Sequence, residues 1–383
     1  MSNKKKIYYW SPFIDKVATI KAVYNSVNSL NYFSKEEFDT TIIDVFGEWK
    51  KNNFFNLSKI NFCELRSIPI LFRFSSLGFL RSRLKYIIIF IYSFFPLKKL
   101  LLNHKPDFLI IHLITSLPLI LNYIYNFETK IILRISGKPK LNFLRYFFWK
   151  LFLKKVYKIT FPTRETLEYF ALLNIVNKNK LELLYDPVIE TKKLIKKDLL
   201  NENFKFENKN FFLAIGRLTK QKNFLFLIEC FRKIIKYDAN ISLVIVGKGE
   251  DYEKLNKFIK KNNLQDNIFL EGYKENIFQY LINCEAFVLS SLWEDPGFVL
   301  IEAMYANKII ISSDCSSGPK EIIGDKRGIL FKSNSKDDFI KKFKIYKSLD
   351  INKKKNIIYN SKKFVKKFTL FNHHIKLKKI LNK

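Results

Sequence analysis

At 383 residues the chain is longer than one hydrophobic core ordinarily serves, so two domains are expected, and 48% hydrophobic residues are ample to fold them. Its four cysteines, Cys63, Cys230, Cys284 and Cys315, form no C-x-x-C pair, which argues against a disulfide framework or a zinc site and fits a reducing cytosol. A formal net charge of +33 favours anionic partners: a membrane surface, nucleic acid or a phosphorylated substrate.

Lys4-Lys5-Lys6 precede an apolar run, Ile7 to Trp10, that stops at Ser11-Pro12. The run is too short for a signal-peptide core and reads as a first buried strand, followed by a helix over Thr19 to Leu30 and a strand over Thr41 to Val45. Tyr86 to Leu97 is very apolar and flanked by Arg81, Arg83, Lys85, Lys98 and Lys99. It falls short of the roughly 20 residues that span a bilayer. A buried helix and an interfacial helix beside anionic headgroups are both open readings, and peripheral membrane association is expected. Strands follow at Asp107 to His112, Lys130 to Ile135 and Ile159 to Pro162, then a helix over Arg164 to Leu173. Strands alternating with helices imply a parallel sheet.

The lysine-rich stretch from Asp186-Pro187 to Lys209 reads as an inter-domain connection. A second alternation begins with a strand at Phe211 to Ile215 and a helix over Asn223 to Tyr237, whose apolar stripe is Phe224, Leu227, Ile228, Phe231, Ile234 and Ile235. Strands at Ser242 to Val246, Asn267 to Leu270, Ala286 to Leu289 and Ile309 to Ser312 come next. Pro296-Gly297 open a helix over Val299 to Tyr305, with Pro296 placed in its first turn. The tail from Lys336 onward is helical in places. The fold class is α/β, with two Rossmann-like parallel-sheet domains facing across a cleft.

Three loops at strand ends carry residues suited to chemistry. The first is Gly216-Arg217-Leu218-Thr219-Lys220-Gln221-Lys222. Glycine permits a sharp turn off the strand, Arg217 offers a planar charged fork for phosphate oxygens, and Lys222 a compact point charge. A solvated basic loop is the plainer reading in so lysine-rich a chain. The second places Glu294 in a strand-to-helix loop and Glu302 two turns into the helix, eight positions on. On spacing alone, a capping Glu and an exposed helical Glu would look the same. The amides of Phe298 and Val299 head that helix, where an anion is favoured. The third is the strand end at His112.

These residues resemble retaining glycosyltransferase family 4, of GT-B fold. Gly216-Arg217 with Lys222 is similar to the G-R-x4-K signature, and Glu294 with Glu302 to the E-x7-E element; Ser317-Gly318-Pro319-Lys320-Glu321-Ile322 also matches. The likeness is strong from Phe211 to Phe331 and weaker over the first domain, where Trp10-Ser11-Pro12 and Gly47-Glu48-Trp49 carry it. It implies that Glu302 holds the donor ribose, that Glu294 contacts the transferred sugar, and that Gly297, Phe298 and Val299 lend amides to the phosphates. Gly247, Gly249 and Tyr273 would border the base, and Arg217 and Lys222 would neutralise the departing diphosphate. His112 would lie near the transferred sugar; Arg134 and Ser136-Gly137 are contacts by position. Many members have a paired-glycine loop after the first strand; here that loop runs from Ser11 to Thr19, with Lys16 or Thr19 as substitutes. There is no D-x-D motif, so no metal and no cofactor are expected.

The implied domains are an acceptor-binding domain over 1–190, a nucleotide-sugar-binding domain over 191–366, and a helix over 367–383 that crosses back. The implied reaction moves a hexose or N-acetylhexosamine from a nucleotide sugar, more UDP- than GDP-like, to a hydroxyl of a lipid-linked or other surface glycan. It would proceed at the cytoplasmic face of the membrane. An epimerase or hydrolase on the same fold is the near rival. A non-catalytic basic protein holding membrane or nucleic acid is the distant one. Nucleic acid is disfavoured because the aromatic residues sit at strand and core positions rather than interleaved with basic ones.

Overall fold

The structure, a computed structural model, describes residues 4–14, 18–50, 60–65, 79–139, 141–190, 204–207 and 209–383, with 79–82 described by backbone alone. Lys16 lies outside them. The chain divides into two compact units, Met1–Val188 with Leu370–Lys383, and Ile189–Thr369.

The first unit contains β1 (Lys5–Trp10), α1 (Ala18–Phe33), β2 (Phe38–Asp44), β3 (Asn61–Glu64), α2 (Phe79–His104), β4 (Phe108–Ile111), α3 (Ser116–Tyr125), β5 (Lys130–Arg134), α4 (Phe143–Phe152), β6 (Lys158–Phe161), α5 (Arg164–Leu172) and β7 (Leu181–Leu183). All seven strands are parallel, in the order β3-β2-β1-β4-β5-β6-β7. Tyr8 stands opposite both Thr41 and Leu109. The central strands are continuous apolar runs because helices cover both faces of the sheet. On one face α1 and the C-terminal helix Leu370–Leu381 pack over Ile7, Tyr9 and Ile132. On the other, α2 to α5 pack over Trp10, Leu109 and Leu133.

The second unit contains β8 (Phe211–Ile215), α6 (Phe224–Ile235), β9 (Ser242–Val246), α7 (Tyr252–Lys261), β10 (Ile268–Leu270), α8 (Phe278–Asn283), β11 (Ala286–Leu289), α9 (Phe298–Tyr305), β12 (Ile310–Ser313), α10 (Pro319–Ile323), β13 (Ile329–Phe331), α11 (Lys336–Lys347) and α12 (Ile351–Val365). Its six parallel strands run β10-β9-β8-β11-β12-β13. Phe212, Phe231, Phe339 and Phe343 interlock beneath the sheet with ring centroids 4.8–6.2 Å apart. Both units are doubly wound α/β layers.

Three readings from sequence are corrected here. The apolar helix does not stop at Leu97: α2 runs to His104 with Pro96 inside it. Proline removes one backbone hydrogen bond, but Leu97, Leu100 and Leu101 beyond it are buried in the core and hold the helix on course. The stretch Arg83–His104, 22 residues, is therefore long and apolar enough to cross a membrane by length and composition. Pro296 lies before α9, not in its first turn, because Gly297 caps the helix at φ +92°, outside helical space. Finally, the connecting stretch is not all linker: Phe206 is buried against Phe211 and Phe269 of the second unit.

Candidate functional site

In the second unit, β8 leads to β9 and β10 on one side, while β11, β12 and β13 lie on the other. The strand order therefore reverses between β8 and β11, and ligands of open α/β sheets bind outside the carboxyl ends of the strands at such a point. The loops that follow these two strands carry Gly216, Arg217 and Lys222 on one side and Glu294 on the other.

Arg217 is exposed and Lys222 mostly enclosed. The Lys222 side chain crosses directly over Gly216, where a Cβ would stand 2.9 Å from its Cε. Its ammonium reaches across the reversal point to the Glu294 carboxylate at 2.5 Å. The same Glu294 oxygen accepts the Ser291 hydroxyl at 2.5 Å, and the Glu294 side chain is 6% exposed. The acid is thus fixed by a cation and a hydroxyl of its own unit. The surrounding loops are tied together by Gln221 donating to the Trp293 carbonyl, the Leu292 amide donating to the Gln221 carbonyl, and Ser290 donating to the Lys222 carbonyl. Ser316 accepts the Glu294 amide, and a Cβ on Gly318 would meet the Pro296 carbonyl oxygen at 2.0 Å. The Ser317-Gly318-Pro319 run thus supports the acidic loop from beneath.

Gly247 and Gly249 are needed for close loop packing. A Cβ would lie 1.8 Å from the Gly216 oxygen at the first and 2.3 Å from the Leu218 oxygen at the second. These two glycines let the loop after β9 lie against the Gly216-Arg217 loop. The Gly247 amide also donates to the Gly272 carbonyl, which brings Tyr273 to the same strand ends, half-exposed, with the Lys248 ammonium 5.6 Å from its ring centre. Phe298 and Val299 occupy the first positions of α9, and Glu302 is half-buried within it. Every residue expected at the donor site therefore lies on a strand-end loop or on α9 of this unit. Ser291, Ser316 and Gly318 join them. Sequence assigned these three no role, although a hydroxyl three residues before a loop carboxylate is a recognisable local partner.

In the first unit, His112 directly follows β4, and its amide donates to the Trp10 carbonyl. Its half-buried ring stacks on Tyr9, and its Nδ1 is enclosed without a protein hydrogen-bond partner. Burial, reinforced by Arg134 and His373, pushes its pKa well below the usual imidazole value, so the ring is neutral at physiological pH. Arg134, expected to contact a ligand, is instead 3% exposed and committed to Asp186 at 2.6 Å and the Leu184 carbonyl at 2.6 Å. Thr19 sits in the first turn of α1.

The sequence model described as glycosyl transferases group 1 matches residues 195–364. An uncharacterized glycosyltransferase of Methanocaldococcus jannaschii is 30% identical over 343 residues, covering 84% of this chain and 78% of that protein. The chain belongs to the group 1 glycosyltransferases. A Campylobacter jejuni relative of this glycosyltransferase, an N-acetylgalactosamine-N,N'-diacetylbacillosaminyl-diphospho-undecaprenol 4-alpha-N-acetylgalactosaminyltransferase, is 27% identical over 206 residues, 52% of this chain and 54% of its own length. In fold, the glycosyltransferase is similar to Anabaena HepE, solved in complex with UDP and glucose, with a TM-score of 0.73, 14% identity and 99% of each chain covered. The architecture is GT-B.

Proposed function

We propose that the protein is a retaining, metal-independent glycosyltransferase that takes a hexose or N-acetylhexosamine from a UDP-sugar held by the second unit. The acceptor is a hydroxyl on a lipid-linked glycan, held by the first unit at the cytoplasmic face of the membrane. The observation that carries this reading is the Lys222–Glu294–Ser291 arrangement at the strand-order reversal, with the exposed Arg217 fork beside it. An ammonium has three donors, so Lys222 can keep Glu294 while turning a second N–H to a diphosphate oxygen. Arg217 adds a second permanent charge where the leaving diphosphate gains its own, which is stabilisation placed where the transition state needs it. Glu294, held in place, accepts hydrogen bonds from hydroxyls of the transferred sugar, and Glu302 accepts from the ribose.

No side chain here is assigned as a covalent nucleophile. The leaving diphosphate takes the acceptor proton as the acceptor oxygen attacks the anomeric carbon on the same face. His112, neutral, serves as a hydrogen-bond partner to a sugar hydroxyl rather than as a cation. The UDP preference is supported by the likeness to Anabaena HepE, solved with UDP and glucose, and the lipid-linked acceptor by the likeness to the Campylobacter diphospho-undecaprenol transferase.

The test is transfer from a panel of UDP-sugars to an undecaprenyl-diphosphate saccharide with a chelator present, with the anomeric configuration of the product read by NMR. One UDP-sugar should yield a product of retained configuration at an unchanged rate in chelator. An inverted product, chelator-abolished transfer, or release of free or epimerised sugar without acceptor would each contradict part of the reading.

A further inference from the structure

Three neighbouring helices of the first unit turn apolar side chains away from the core they cover. In α2, Ile89, Leu97, Leu100 and Leu101 are buried beneath the helix. On the opposite side Leu84, Ile87, Ile91, Phe95 and Leu102 recur every three, four or seven residues and form one stripe, with Phe95 72% exposed. A helix lying on a soluble core ordinarily faces water with polar residues. α4 repeats the pattern: Phe143, Leu144 and Phe147 are exposed, while Trp149 packs on Phe170 of the core. α3, packed between α2 and α4, ends in the exposed Ile124 and Tyr125. Lys98 of α2 places its ammonium 4.0 Å from the Tyr125 ring centre, so the outer surfaces of α2 and α3 adjoin.

The charge on these helices is of one sign. α2, α3 and α4 contain no Asp or Glu, whereas Arg83, Lys98, Lys99, Arg145 and Lys150 lie among the apolar residues. We propose that the outward face of α2, α3 and α4 docks the protein on an anionic lipid bilayer. This rests on the reading of a membrane-anchored acceptor and adds the surface that would meet its membrane. Aliphatic and aromatic side chains enter the headgroup region while lysines and arginines at their margin meet lipid phosphates. The inner face of α2 belongs to the core of its unit, so the helix lies on the bilayer instead of crossing it. A second copy of this chain is a poor occupant, because a self-complementary contact would bring together two sets of basic helices that carry no carboxylate.

The test is flotation of the full-length protein with phosphatidylcholine vesicles, with and without phosphatidylglycerol, at low and high salt. The protein should float with the anionic vesicles, less so at high salt or without phosphatidylglycerol. Ile91→Ser/Phe95→Ser and Phe143→Ser/Phe147→Ser should each cut the bound fraction about tenfold or more. Tyr237→Ser/Tyr359→Ser, exposed aromatics of the second unit, should leave it unchanged. The face variants should keep the thermal stabilisation that a UDP-sugar gives the parent, which separates loss of docking from loss of the donor site. Flotation of the face variants equal to the parent, indifference of the parent to lipid charge, or a lipid-free dimer that Phe95→Ser dissociates would each overturn the proposal. Docking that persists without any nucleotide-sugar stabilisation would leave this surface standing and the catalytic reading refuted.

Discussion

Glu294 is a buried acid whose position depends on two neighbours, Lys222 and Ser291. A buried charge is tolerable only while its partners are present, so this site is rigid at the price of being sensitive to each partner. A hydrogen bond to a charged group contributes about 1.5–3 kcal/mol. Ser291→Ala should therefore lower kcat about tenfold, the equivalent of about 1.4 kcal/mol in the barrier, while UDP-sugar affinity changes less than about twofold because Glu302 is untouched. Ser291→Thr, which keeps the hydroxyl, should recover most of the loss. Steady-state kinetics of the two variants read this directly; an unchanged kcat in Ser291→Ala would remove the serine from the account. Lys222 and Glu294 were legible as candidates because each follows a strand at a recognisable spacing. Their contact was not legible, because it joins loops 72 positions apart and depends on β8 and β11 being neighbours in the sheet. Arg134 was misread for the same reason: its partner Asp186 is 52 positions away, so from sequence its guanidinium looked available.

The C-terminal helix shows how one element is fixed by a proton arrangement. The Tyr185 carbonyl can only accept, so His373 Nδ1, 2.8 Å from it, carries the hydrogen. His373 Nε2 then accepts from Ser26, and Ser26 accepts from Tyr9. This chain joins the C-terminal helix to α1 and β1 within the first unit. Burial, reinforced by Arg134, His374 and Lys376 against the hydrogen bond to Tyr185, pushes the His373 pKa down to about 3. Below about pH 6.5 the unfolded chain gains a proton that the folded chain refuses until about pH 3. The contribution is full above about pH 6.5 and declines by up to about 1.4 kcal/mol per pH unit as pH falls. Urea unfolding between about pH 7 and about pH 5 should thus show stability falling with acid, and His373→Gln should flatten that fall by about one proton's worth; an identical slope in the variant would contradict it. Long apolar strands such as β1, β4 and β8 were plain in the sequence. The edge strands β3 and β7 were not, since three or four residues paired on one side need little apolar character, and β13, though apolar, is only three residues long. The length of α2 was hidden by Pro96, a helix breaker that core packing overrides.

Taken as a whole, the chain carries the proposed donor site on one parallel-sheet unit and a basic, apolar helix face on the other. The two-unit α/β plan was readable because short continuous apolar runs bounded by turn residues alternate with longer amphipathic stretches. Its excess of 68 Lys and Arg over 35 Asp and Glu suits the proposed diphosphate-bearing donor and the proposed acceptor at an anionic surface. The central claim is that the second unit binds a nucleotide sugar through Lys222, Glu294 and Glu302, with Arg217 acting on the departing diphosphate. It is tested most directly by the thermal stability of the full-length protein with UDP-, GDP- and ADP-sugars, since a ligand that binds only the folded state must raise it. The account predicts stabilisation by a UDP-sugar, loss of most of it in Glu302→Ala, and its retention in Arg217→Ala, where turnover falls instead. No stabilisation by any nucleotide sugar, or equal stabilisation of the parent and Glu302→Ala, would contradict it.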